Sequence, residues 1–156
     1  PDSFNYGEAL VKIPGLDGTG KMGKSDGNGI YLIDTPAEIR KKVMRAVTDA
    51  GPTEPNSPLS EPIRNLITLL EVVSTPDTVQ YFVDKYNSCE IRYGDLKKQL
   101  AEDIIQFTSP IREKIEAIKA DEAYLRKVVN MGREKAHASA AQTLKEVREI
   151  IGFKPF

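Results

Sequence analysis

Cysteine occurs once in this chain, at Cys89, and histidine once, at His137. A single thiol cannot close an internal disulfide, and without a Cys/His cluster there is no zinc-type ligand spacing to read. Both residues therefore read as ordinary surface or core positions, and the thiol usage fits a reducing, cytoplasmic setting. No run of about 18 apolar residues occurs, so no segment reads as a membrane-spanning helix. No charged-then-apolar leader opens the chain either. A surplus of charge is also missing: 22 basic against 23 acidic side chains leave a formal net charge of -1. Any nucleic-acid surface must then be a local patch rather than a property of the whole molecule. Internal repeats and low-complexity tracts are absent. The opening Pro1-Asp2-Ser3-Phe4-Asn5-Tyr6 has no initiator methionine, and the expectation is the back part of a longer protein. With 156 residues, 40% hydrophobic and 29% charged, the chain is globular in composition and long enough to bury one core without metal or disulfides.

Against this even background one stretch is unusual. Gly18, Gly20, Gly23, Gly27 and Gly29 crowd around Lys21 and Lys24. Glycines let a backbone reach positive φ and let a charged ligand approach bare N–H groups. Two mobile cations beside such a backbone suit a ligand with several negative oxygens, and phosphate is the obvious one. Gly18 through Ser25 spells G-x-x-x-x-G-K-[ST], the pattern of a P-loop. That pattern works only between a buried strand and a helix whose N-terminus faces the phosphates. Here Pro14 and Gly15 interrupt the segment before the loop, and Asp26-Gly27-Asn28-Gly29 after it is a poor helix start. No strand–helix–strand series follows, so the context a P-loop requires is missing. Asp26 and Asn28 read as turn-shaping residues whose side chains bond the backbone.

Lys21-Met22-Gly23-Lys24-Ser25 resembles the KMSKS signature of class I aminoacyl-tRNA synthetases. Its flanks, Pro14-Gly15-Leu16-Asp17-Gly18 and Ser25-Asp26-Gly27-Asn28, look like those of tryptophanyl-tRNA synthetases. The likeness continues in order through Lys41-Lys42-Val43, Ala46-Val47-Thr48-Asp49, Asn65-Leu66-Ile67, Tyr93-Gly94-Asp95-Leu96-Lys97, Ser109-Pro110-Ile111-Arg112, Gly132-Arg133-Glu134-Lys135-Ala136 and Thr143-Leu144-Lys145-Glu146-Val147-Arg148. It spans nearly the whole chain. One departure is Gly23, where the signature usually carries Ser, so a hydroxyl is lost and the loop should be looser.

The resemblance implies a nucleotide-binding fold with a HIGH-type motif ahead of Pro1, and no such motif occurs here. It implies tryptophan activation by ATP with Mg2+, then transfer to tRNA(Trp). Lys21 and Lys24 are the implied catalytic residues, and Lys21, Met22, Gly23, Lys24 and Ser25 the implied ATP-binding set, with no protein-bound metal. A cytoplasmic homodimer is implied for the whole enzyme, and inactivity for this part alone. A tyrosyl-tRNA synthetase piece remains open, since those enzymes share the architecture and often a KFGKS-like loop. So does a non-catalytic helical module that binds RNA or protein.

Apolar spacing gives the architecture. Glu8–Ile13 reads as a short strand entering the loop and Gly29–Ile33 as a second brief apolar segment leaving it. Thr35-Pro36-Ala37-Glu38 is a capping box, with Ile39, Val43, Ala46 and Val47 as the stripe behind it. Gly51 and the prolines at 52, 55 and 58 form a loop. Ser60-Glu61-Pro62 opens a helix whose Ile63, Leu66, Ile67, Leu69, Leu70, Val72 and Val73 predict the most buried element. Thr75-Pro76-Asp77 caps the next helix, with Val79, Phe82, Val83 and Tyr86. Leu96, Leu100, Ile104 and Phe107 mark a fourth, Ser109-Pro110 is expected to start a fifth, and Asp121 the last. In that last stretch Leu125, Val128, Val129, Leu144, Val147 and Ile151 are the apolar positions, and Ala136, Ala138, Ala140 and Ala141 would admit a close neighbour. The charge runs Lys97-Lys98, Arg112–Lys114 and Arg133–Lys135 read as solvated faces, one of which could meet tRNA phosphates. The expected fold is mainly α, a helical bundle with a short β/loop lead-in. The resemblance implies that residues 1–34 are the tail of a catalytic domain with the signature loop, and 35–156 a helical C-terminal region that binds the tRNA anticodon and returns to the catalytic core.

Overall fold

Caps written into the sequence set where the helices begin in the computed structural model, which describes residues 12–153. Thr35 starts α1 (Pro36–Met44) with both halves of a capping box: Thr35 N–H donates to Glu38 Oε2 at 2.8 Å and Glu38 N–H to Thr35 Oγ1 at 3.3 Å. Two otherwise orphaned donors are thereby satisfied. Helix α2 (Glu61–Val73) carries Pro62 in its first turn, where the missing N–H costs nothing. Thr75 caps α3 (Pro76–Asn87) by accepting from Thr78 N–H at 3.4 Å. Helix α4 (Tyr93–Ala120) follows, and Asp121 caps α5 (Glu122–Ile150) by accepting from Tyr124 N–H at 2.8 Å.

The described residues fall into two compact units, one ending at Arg112 and one beginning at Glu113. In the first, α2 is the centre: Ile63, Leu66, Ile67, Leu69 and Leu70 are all buried. Ile39 and Val43 of α1, Phe82 and Tyr86 of α3, and Leu96, Leu100 and Ile104 of α4 complete the core. Each such side chain contributes roughly 1.5–3 kcal/mol by leaving water. Three residues of the expected stripes instead face solvent, Val47, Val72 and Phe107. In the second unit every side chain of α5 is exposed, Leu125, Val128, Val129, Leu144 and Val147 included.

Two expectations are corrected. Ser109-Pro110 does not begin a helix; α4 runs through Pro110. Proline removes the donor to the carbonyl of Gln106 at that turn, and the hydroxyls just before it bond carbonyls one turn back. Thr108 Oγ1 donates to Ile104 O at 2.8 Å and Ser109 Oγ to Ile105 O at 2.7 Å. No strand occurs among the described residues. Most of the expected strand Glu8–Ile13 lies outside them. In the second apolar segment the chain turns at once: Asp34 N–H donates to Tyr31 O at 3.0 Å and Tyr31 N–H to Asp34 Oδ2 at 2.8 Å. That closed turn uses the groups a sheet would need. Among the described residues the lead-in is thus a loop, and the fold is mainly α.

Candidate active site

The signature loop is built by folding residues 13–29 back on themselves and pinning the result to the helices. Its base closes through backbone bonds, Met22 N–H to Ile13 O at 2.7 Å, Gly15 N–H to Thr19 O at 3.1 Å and Leu16 N–H to Asn28 O at 3.0 Å. Gly18 stands at φ +84° and Gly27 at φ +67°, the left-handed turns that a residue with a Cβ adopts at a cost. Met22 packs against the core and its sulfur accepts from Ile30 N–H at 3.4 Å. The apolar middle of the motif thus points inward.

Inside the fold-back sits Asn28, 6% exposed. Its Nδ2 donates to Asp17 Oδ2 at 3.0 Å, Lys21 O at 3.0 Å and Thr19 Oγ1 at 3.2 Å, while its Oδ1 accepts from Gly23 N–H at 2.9 Å. Thr19 Oγ1 donates in turn to Asp17 Oδ1 at 2.7 Å. The Thr19 hydroxyl is the main cause holding the Asp17 carboxyl below the usual carboxylate range; partial burial opposes it and the Asn28 amide adds to it.

One contact ties this loop directly to a helix, and two more tie it through the segment after α1. Asn65 of α2, buried among apolar neighbours, donates Nδ2 to Thr19 O at 2.9 Å. Val47 N–H donates to Leu16 O at 2.8 Å, and Lys97 of α4 donates Nζ to the adjacent Ala46 O at 2.7 Å. Burial holds the Lys97 ammonium below its ordinary pKa. Behind this junction Asp49 accepts from the hydroxyls of Ser60 and Tyr93 and from Gly51 N–H at 2.8 Å. Burial raises the Asp49 carboxyl, but those donors outweigh it and the net shift is downward. Burial first, then the bond to Asp49, pushes the Tyr93 phenol upward.

Lys21 and Lys24 are exposed, and neither ammonium has an ion-pair partner among the described residues. Their backbones are held: Lys21 O by Asn28, and Lys24 O by the Tyr31 hydroxyl at 2.9 Å. Ser25 is exposed and lies in the turn after Lys24. A Cβ added at Gly23 would meet Asp26 Oδ2 at 1.9 Å, so the Asp26 carboxylate fills the space left by the absent side chain. Tyr31 is fixed from the other side, with Lys42 Nζ 4.5 Å from its ring centroid and 2.5 Å from Asp34 Oδ2. A cavity of about 510 Å³ opens between the loop and α1, lined by Asp17, Asn28, Glu38, Lys41, Lys42 and Arg45 among others.

The charge runs behave differently from one another. Lys97 is spent on Ala46 O, and Arg112 on Asp34 O at 3.1 Å and Ser109 Oγ at 3.0 Å. Arg133 and Lys135 lie exposed on α5. Asn28, Asn65 and Asp49 are what sequence reasoning underrated. An amide on the apolar face formed by Ile63, Leu66, Ile67, Leu69 and Leu70 is the signal that could have marked Asn65; nothing local marks Asp49.

Comparison with known proteins follows these observations. Residues 9–109 match the family described as tRNA synthetases class I (W and Y). The chain is 60% identical over 154 residues to tryptophan--tRNA ligase of Porphyromonas gingivalis, covering 99% of this chain and 47% of that protein. It is 39% identical over 140 residues to tryptophan--tRNA ligase 1 of Streptomyces coelicolor, covering 86% of this chain and 40% of that one. Among solved structures, tryptophanyl-tRNA synthetase from Campylobacter jejuni complexed with ADP and tryptophane superposes with a TM-score of 0.74. That match is 23% identical and covers 94% of this chain and 45% of that one, a likeness of fold. The chain spans less than half the length of these relatives.

Proposed function

We propose a function from the premise that this chain belongs to the tRNA synthetases class I (W and Y): it is part of a tryptophan--tRNA ligase and carries that enzyme's ATP-binding signature loop. The observation that carries the reading is 60% identity to a tryptophan--tRNA ligase along 99% of the chain. It covers the whole loop and favours tryptophan over tyrosine, for which the tyrosyl-like Gly23 would otherwise speak.

In this reading the tryptophan carboxylate attacks the α-phosphate of ATP, which enters as its Mg2+ complex, and pyrophosphate leaves. Negative charge grows on the departing oxygens. Lys21 and Lys24 meet that charge as it develops, and groups that strengthen only there raise the rate. Both ammoniums are exposed and unpaired among the described residues, so neither gives up a partner to engage phosphate. Met22 seats the loop on the core, and Gly23, its N–H held by Asn28, and the exposed Ser25 complete the ATP-binding set beside the lysines. The glycines let the loop admit ATP and release pyrophosphate. Residues 1–34 then form the end of the catalytic domain, and 35–156 a helical region for the anticodon of tRNA(Trp). The whole enzyme acts as a cytoplasmic homodimer; no helix among the described residues is long and apolar enough to cross a membrane.

Lys24→Ala in the complete enzyme tests the reading. Adenylate formation, followed by pre-steady-state kinetics, should slow by about 100- to 1,000-fold, while tryptophan binding measured by titration stays near that of the parent. An unchanged activation rate removes Lys24 from the mechanism. Pyrophosphate exchange driven by tyrosine rather than tryptophan would transfer the chain to the tyrosyl branch.

A further inference from the structure

We propose that Asn28 is a positioning residue for the activation step, an inference that rests on the roles given above to Lys21 and Lys24. Four buried polar side chains stand out among the described residues, Asn28, Asp34, Asn65 and Thr108. Asn28 alone spends every one of its bonds inside the signature loop, on Asp17, Thr19, Lys21 and Gly23. It reaches back from outside the motif and grips the peptide groups on both sides of Met22, the carbonyl of Lys21 and the N–H of Gly23. Holding those two groups inward fixes Met22 toward the core and leaves the two lysine side chains outward.

Space is reserved for this clasp. A Cβ on Gly15 would stand 2.5 Å from Asn28 Nδ2 and 2.5 Å from Asp17 Oδ1. Glycine at 15 is therefore required by the amide rather than by its own backbone, which is not in the left-handed region. The carboxylate of Asp17, braced by Thr19, receives one amide hydrogen and orients the ring of contacts. Because the helical core shares none of these bonds, loosening Asn28 alters where the lysines stand and leaves the bundle's packing in place. A misplacement near 1 Å at a reacting group costs on the order of 100-fold in rate.

The experiment is a double-mutant cycle in the complete enzyme with Asn28→Ala, Lys24→Ala and the pair. Asn28→Ala alone should slow adenylate formation about 30- to 100-fold, with tryptophan affinity within about twofold and the thermal midpoint nearly unchanged. Added to Lys24→Ala it should cost distinctly less than it does alone, the remainder being the displacement of Lys21, since residues acting through one another are not additive. Asn28→Asp, nearly identical in size, keeps the acceptor for Gly23 N–H and loses the donors; it should be as slow as the alanine variant, and it serves where the latter folds poorly. Parent-like rates in both Asn28 variants, with Lys24→Ala still slow, overturn the inference and leave the site intact. Full multiplicative losses in the pair, or a matching fall in tryptophan binding and melting, also overturn it. If Lys24→Ala itself is unaffected, the underlying site reading falls instead.

Discussion

Gly23→Ser restores the hydroxyl that the signature usually carries, and the loop geometry sets what it should cost. The built Cβ would meet Asp26 Oδ2 at 1.9 Å and Asp26 Cγ at 2.9 Å, so Asp26 must swing away. Its carboxylate is exposed and is the far end of a short side chain. The move is a change of rotamer, costing from nothing to about 1.5 kcal/mol if it ends off a staggered well. Gly23 is not at positive φ, so a side chain brings no backbone strain. Losing a glycine's freedom in the open state returns about 0.4–1 kcal/mol. The two effects nearly cancel, and adenylate formation in the complete enzyme should stay within about fivefold of the parent, or about 1 kcal/mol. Stopped-flow measurement of the activation rate against ATP concentration reads this directly. A loss beyond about tenfold, or 1.4 kcal/mol, that Asp26→Ala fails to relieve in the double variant would refute the reasoning. The loop would then depend on glycine at 23 for a reason other than the Asp26 contact.

Further outcomes follow from the core and its polar hub. The isolated chain should melt cooperatively with a helical circular dichroism spectrum, because α2 is buried on most of its surface, yet give no tryptophan-dependent pyrophosphate exchange; exchange above background would place the catalytic machinery within this chain. Leu70→Ala, at a fully buried site, should destabilise by about 2–5 kcal/mol in urea unfolding, and a cost below 1 kcal/mol would contradict the assigned core. Tyr93→Phe removes one donor from Asp49 and should cost about 1–2 kcal/mol near neutral pH. Since the Asp49 carboxyl is lowered in the folded state, its contribution is present above the ordinary value of 3.8 and lost as pH falls through the folded value. The deficit of Tyr93→Phe should therefore shrink in acid, and a deficit that is constant from neutral pH down to the acid limb would remove Asp49 as the partner that matters.

Local chemistry carried much of this fold in plain letters. Thr35, Thr75 and Asp121 each cap the helix that their side chains announce, because a cap needs only residues three apart. Pro110 misled for the same reason: on its own it signals a start, and that α4 runs through it is seen only once the helix is built. Ser60 reads as a cap but makes no capping bond; its hydroxyl goes to Asp49, eleven residues back in the chain. At the candidate site, Lys21 and Lys24 are proposed from the motif, and both side chains are exposed. The grip of Asn65 on Thr19 was not, because it joins residues 46 apart and no short-range pattern encodes that distance.

That long-range grip has a consequence for biosynthesis. Asn65 and Lys97, which moor the loop and the segment it leans on, come after it in the sequence and are translated later. At about 5–20 residues per second, the 46 residues between Thr19 and Asn65 take roughly 2–9 s to appear. Through that interval the two lysines emerge from the ribosome on an unmoored glycine-rich segment, and the loop gains its anchored shape only when α2 has emerged and packed. The signature loop of the nascent chain is thus completed from downstream, by helices that come after it.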